Sequence, residues 1–97
     1  MSFEFHPEAE QDINDAVEHY DRCSYGLGLD FTREVLVAIQ NAEQHPWMWP
    51  VVEDEIHRCL VHRFPYGILY RTTDDGIFIL AIMHLHRNPR YWKDRTL

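Results

Sequence analysis

The run Ile77-Phe78-Ile79-Leu80-Ala81-Ile82-Met83 is the longest unbroken apolar stretch in the chain. Seven residues fall far short of the ~20 that a membrane-spanning helix needs. They suit a strand buried on both faces. Asp74-Asp75-Gly76 just before it is a hairpin turn signal. Two further strands precede that turn, Ile68 to Thr73 and Ile56 to Phe64, with Phe64-Pro65-Tyr66-Gly67 between them. In the strand Ile56 to Phe64, alternation puts Arg58, Leu60 and His62 on one face and His57, Cys59, Val61 and Arg63 on the other. Three hairpin-linked strands form a meander, and a meander leaves its third strand on an edge. A doubly buried strand needs a second neighbour. Phe3 and Phe5 alternate with Glu4 and His6 and supply it, as a short N-terminal strand. The expected sheet order is N-terminal strand, third meander strand, second, first, and the strand Ile56 to Phe64 becomes an open edge.

Between the N-terminal strand and the meander lie two helical patterns. Pro7 fits a first helical position, and Glu8, Glu10 and Asp12 suit the positive end of the helix dipole. Ala9, Ile13, Ala16, Val17 and Tyr20 recur at helical spacing up to about Cys23. Ser24-Tyr25-Gly26-Leu27-Gly28 is a turn. A second helix runs to about Gln44, with Phe31, Val35, Ala38, Ile39 and Ala42 on its apolar face. The pair forms an antiparallel hairpin that covers one face of the sheet. The expected core sets Ile13, Val17, Tyr20, Phe31, Val35 and Ile39 against Leu60, Leu80 and Ile82. His45 to Glu55, bounded by Pro46 and Pro50, is a loop. Its Trp47, Met48 and Trp49 either close the open end of the core or form a partner-binding patch. The fold class is α+β, in the order β-α-α-β-β-β with a short C-terminal tail, and residues 1–97 make one domain.

A net charge of −7 conceals a split. Residues 1–55 carry 13 carboxylates against two cations, a balance of −11, and residues 56–97 carry seven cations against three carboxylates, a balance of +4. Such asymmetry points to two surfaces with different partners, or to a solvated acidic helical face. The N-terminus has neither the cationic stretch nor the apolar run of a signal peptide. Cys23 and Cys59 form no CxxC pair, so the expected compartment is a reducing cytoplasm.

Chemistry concentrates at the end of the third meander strand. Period two places His84 and His86 on the face of Phe78, Leu80 and Ile82, followed by Arg87, Arg90 and Tyr91. Arg58, His62, Arg63 and Arg71 approach from neighbouring strands. Cations, imidazoles and a phenol in one place suit RNA phosphate binding. They also suit RNA cleavage, which needs a base, an acid and positive charge around phosphorus. The competing reading has the histidines capping a buried strand and the arginines pairing with upstream carboxylates. No third ligand stands at metal-site spacing beside His84 and His86, and no phosphate loop or dinucleotide fingerprint is present. No metal and no cofactor are expected.

The pieces His6-Pro7-Glu8-Ala9-Glu10-Gln11-Asp12-Ile13, Gly26-Leu27-Gly28-Leu29-Asp30-Phe31, the segment Arg58 to Arg71 around Phe64-Pro65-Tyr66, and the segment Ile79 to Trp92 resemble, in order and spacing, the RelE/ParE superfamily of toxins from type II toxin–antitoxin systems. The resemblance spans nearly the whole chain. It implies a growth inhibitor neutralised by a cognate antitoxin in a hetero-oligomer, as in plasmid stabilization modules, with no membrane role. RelE-like members cut messenger RNA at the ribosome through a lysine-rich basic surface. ParE-like members act on DNA gyrase. Here Lys93 is the single lysine, and Phe64-Pro65-Tyr66 and Asn88-Pro89-Arg90-Tyr91-Trp92 look closer to the ParE-like branch. Gyrase inhibition by protein contact is therefore the leading expectation, with Arg87, Arg90, Tyr91 and Trp92 as target-contacting residues. The alternative is an endoribonuclease acting through His62, Arg71, His84, His86, Arg87 and Tyr91. A third is a non-toxic homologue that only binds antitoxin. The antitoxin is expected on the open edge strand, at Ile56, Arg58, Leu60 and His62.

Overall fold

The computed structural model describes residues 2–95. In chain order the elements are β1 (Ser2–Phe5), α1 (Pro7–Cys23), α2 (Leu27–Gln44), β2 (Val51–Glu53), β3 (Ile56–Leu60), β4 (Tyr66–Thr72) and β5 (Gly76–His84). The strands form one sheet in the order β1-β5-β4-β3-β2. β5 is interior as its apolar run requires. It pairs in parallel with β1 from Ser2–Gly76 to Phe5–Ile79, and antiparallel with β4. A Cβ on Gly76 would collide with the Ser2 carbonyl oxygen, so the start of this parallel pair needs glycine.

Local chemistry sets the helix ends. His6 caps α1 by accepting the Glu8 N–H at Nδ1, 3.1 Å away, and Pro7 takes the first turn. Gly26, at φ 79°, turns the chain into α2. No side chain of its own caps α2. Asp21 reaches across from α1 and accepts the Gly28 N–H at 2.9 Å, which places a carboxylate at the positive end of α2.

The core has two layers. Between helices and sheet lie Ala9, Phe31, Val35 and Ile39 with Cys59, Ile68, Tyr70, Ile77, Ile79 and Ile82. On the far face Ile56, Leu69, Phe78, Leu80 and Met83 are roofed by Trp92 and Tyr91 of the tail. Each fully buried large side chain contributes ~1.5–3 kcal/mol, so the tail roof is a substantial part of so small a domain.

Four expectations need correction. First, the segment before β3 is not all loop. Val51 and Glu53 pair with His57 and Ile56, and Asp54 at φ 51° makes the tight turn between them. β2 is therefore the outer strand, and β3 is an edge only beyond Arg58, whose N–H donates to the Pro50 carbonyl. Second, β3 stops at Leu60 and β5 at His84. Arg63 turns at φ 77°, and Phe64 packs edge-on against Tyr20 and Phe31. Third, Leu69 pairs with Ala81 but Tyr70 pairs with Ile79, so Leu80 is an extra residue in a bulge. The bulge reverses the alternation. Ile77, Ile79, Ile82 and His84 face the helical side, whereas Phe78, Leu80 and Met83 face the tail. Leu80 thus packs under Trp92, and Leu60, 55% exposed, lies outside the core. Fourth, Trp49 alone of its trio packs on the core, while Trp47 and Met48 stand 75% and 67% exposed.

Candidate functional site

β1 ends at Phe5 because His6-Pro7 starts a helix, and its last hydrogen bond joins the His6 N–H to the Ile79 carbonyl at 2.9 Å. From Leu80 onward that side of β5 has no strand partner. Side chains take its place. Asp12, one helical turn into α1, accepts the Ile82 N–H at Oδ2, 3.1 Å away. Arg95 donates from Nη1 to the Leu80 carbonyl at 3.0 Å, and Tyr91 donates to the Ile82 carbonyl at 3.4 Å. Arg95 also grips Asp12 with two bonds, Nη1 to Oδ2 at 2.7 Å and Nη2 to Oδ1 at 3.1 Å, and the Tyr91 hydroxyl donates to Oδ2 at 3.1 Å. The Asp12 and Arg95 side chains are each 8% exposed. Burial, and then the Asp12 carboxylate, push the Tyr91 phenol upward, so it keeps its proton.

The tail is fastened elsewhere too. The Arg87 guanidinium lies 3.8 Å from the Tyr91 ring centroid. Arg90 and Lys93 both reach Glu53 of β2, at 3.1 and 3.0 Å. The Trp92 indole N–H donates to the Pro89 carbonyl at 2.8 Å. Beside this latch of Asp12, Tyr91 and Arg95 is a cleft of about 110 Å³ lined by Asp12, Asp15, His19, Tyr66, His84 and Arg87. His84 Nδ1 accepts the His86 N–H at 3.1 Å, and the His84 ring meets Tyr66 edge-on at 5.0 Å. The basic end of β5 is thus a mixed-charge corner, with acids from α1 facing imidazole and guanidinium from the tail.

The model of a family described as ParE toxin of type II toxin-antitoxin system, parDE, matches residues 3–89. The chain belongs to the ParE toxin family. A solved structure described as the chromosomal ParDE TA system from P. aeruginosa has the same fold, with a TM-score of 0.78, 18% identity, and coverage of 89% of this chain and 97% of that one. No curated protein matches the chain.

In this ParE-family chain the sequence candidates do not all meet. His84, Arg87 and Tyr91 gather at the corner, with His86 next to His84, their ring centroids 5.4 Å apart. His62 is on the β3–β4 connection, 3.8 Å from Glu34 of α2 and 85% exposed. Arg71 lies over the Phe78 ring at 4.9 Å. Phe78 is six residues from His84 along β5, roughly 20 Å at strand rise. Arg71 therefore acts away from that corner. Of the four target-contact candidates, Arg87 and Arg90 present exposed side chains, Tyr91 is half-buried in the latch, and Trp92, 5% exposed, is core. Of the antitoxin candidates, Ile56 is buried and paired with Glu53, Arg58 is half-buried, and Leu60 and His62 are open. Among the described residues no three His, Cys, Asp or Glu side chains are grouped to hold a metal, and no helix is long and apolar enough to cross a membrane. Asp12 and Arg95 were not singled out from sequence as a pair. Asp12 did carry a signal: it sits three residues after Ala9 and four before Ala16, a carboxylate on the buried stripe of α1.

Proposed function

We propose that this ParE-family toxin inhibits growth by contacting DNA gyrase, and that a cognate antitoxin holds it inactive in the cytoplasm. The family match supports the toxin role. The observation that carries the choice of protein contact over RNA cleavage is the scatter of the six nuclease candidates. General acid–base cleavage needs its groups within reach of one phosphate, whereas His62 and Arg71 lie apart and the Tyr91 phenol is engaged by Asp12. The acidic balance of the chain also opposes association with a polyanion. Arg87 and Arg90 are the target-contacting side chains in this reading. The antitoxin adds an extended piece at Leu60 to His62, where the β3 edge is uncovered beyond β2.

The test is purified chain with gyrase and relaxed plasmid, beside translating ribosomes with messenger RNA. Loss of supercoiling in the first, with intact message in the second, supports the reading. Arg87→Ala with Arg90→Ala should abolish that inhibition while melting and antitoxin binding persist. Message cleavage with unaffected gyrase overturns it in favour of a nuclease. Inertness in both assays, with antitoxin still bound, overturns it in favour of a binding module.

A further inference from the structure

Trp47 and Met48 remain unexplained by the core and by the tail corner. Beside Trp47, where β2 approaches the β4–β5 hairpin, lies a cleft of about 200 Å³ lined by Trp47, Val51, Asp54, Glu55, His57 and Thr72. His57 is only 4% exposed. Its ring stacks on Tyr70 at 5.2 Å and meets Trp47 edge-on at 5.6 Å. Its Nδ1 is 2.7 Å from the Trp49 carbonyl oxygen. A carbonyl only accepts, so Nδ1 carries a proton, and whenever the ring is neutral its Nε2 is an acceptor. No described residue donates to it. A buried imidazole is thus left with one unused lone pair on a ring that lines the cleft.

The other polar groups share that polarity. Asp54 and Glu55 are carboxylates, Thr72 offers a hydroxyl, and no Lys or Arg lines the cleft. Asp54 meets Lys93 at 3.2 Å with one oxygen, while Glu55 makes no ion pair among the described residues. A wider hollow of about 480 Å³ continues along Trp47 past Asp74 and Asp75. The site therefore combines an open indole face, several acceptors and net negative charge. A guanidinium matches all three, since it donates in several directions and stacks on aromatic rings. β2 runs alongside as the outer strand of the sheet, with Val51 and Val52 exposed, and its outer backbone edge can accept an extended chain.

We propose that this cleft takes an arginine side chain from a basic, extended segment of a partner protein that lies along β2. The site is separate from the corner at the end of β5, and the inference holds whichever cellular target the toxin acts on. The probe is the capped peptide acetyl-Thr-Val-Arg-Val-amide, titrated into isotope-labelled full-length chain and followed by NMR. Shifts should concentrate on the Trp47 indole N–H, the His57 ring and the amides of residues 51–55. Trp47→Ala, and Asp54→Asn with Glu55→Gln, change exposed positions and should keep the melting temperature. Each should weaken the peptide roughly fivefold to tenfold. A peptide with citrulline in place of arginine should bind at least as weakly as it does to those variants. Equal binding of the citrulline peptide overturns the guanidinium assignment. Spermidine that produces the same shifts with equal affinity overturns the protein-segment assignment. Shifts elsewhere, or none at millimolar peptide, overturn the site.

Discussion

Replacing Asp12 by Asn removes one charge and leaves buried Arg95 with only the exposed Glu8 carboxylate, 3.9 Å from its Nε, as counter-charge. Asp12 receives four hydrogen bonds, from Ile82 N, Tyr91 Oη, Arg95 Nη1 and Arg95 Nη2. Both ionic side chains are 8% exposed, so solvent screens the pair little. Breaking a buried pair by removing one partner costs ~3–5 kcal/mol. Single domains have only ~5–15 kcal/mol in all. At ~4–8 °C per kcal/mol for a domain of this size, the melting temperature should fall by at least about 12 °C. Urea denaturation of wild type, Asp12→Asn, Arg95→Met and the double variant measures this. The double variant should be more stable than Asp12→Asn alone, because its remaining amide still accepts the Ile82 N–H and no charge is stranded. A loss below ~1 kcal/mol for Asp12→Asn, or strict additivity in the cycle, would refute the latch as a coupled, buried device.

Val35, 2% exposed between α2 and the sheet, should not tolerate Asp, since an unpaired buried charge has no compensation; a soluble Val35→Asp with unchanged melting overturns its placement. Burial lifts the Cys59 thiol from 9.0 to about 11. A raised pKa in the folded state means stability is complete below ~9 and is lost as pH rises towards ~11, by a few kcal/mol at most (on the order of 2–3); Cys59→Ala should flatten that part of the pH profile, and an unchanged profile refutes the cause. Gly76→Ala should push β1 from β5 at a cost of ~1–3 kcal/mol, seen as faster amide exchange at residues 2–5; unaltered exchange there contradicts the close approach to Ser2.

The apolar run of β5 made the sheet order legible, because seven consecutive apolar residues admit no solvent face and so demand a strand on each side. The helical hairpin was equally legible from its 3.6-residue stripes. Three features escaped for different reasons. β2 is only three residues long and follows two prolines and an apolar trio, which masked its Val-Val-Glu start. The bulge at Leu80 is a matter of register against Leu69 and Tyr70, and alternation read from one strand cannot detect an inserted residue. Period-two counting therefore put Phe78 and Leu80 on the helical face with Ile82 and His84, whereas the bulge turns them to the tail. The latch joins residues 83 positions apart, and no local pattern reports such a meeting. Composition located the basic corner, but not that its tyrosine and last arginine are occupied in holding the tail.

Because β5 is the sole neighbour of β1 in the sheet, the first strand waits for the last in chain order. Ser2 cannot pair until Gly76 has emerged, and Asp12 finds Arg95 later still. Until then α2 has only β3 and β4 to pack against, and α1 lacks the Ile77, Ile79 and Ile82 side chains of β5 that complete the core beneath the hairpin. Contacts so distant in sequence are slow to form and leave apolar surface open meanwhile. The toxin's folded surfaces therefore come into being together and late, when the centre of the sheet is inserted between its two halves. During synthesis a binding partner would meet an unfinished chain, and the interval before β5 docks is when proteases and chaperones have their access.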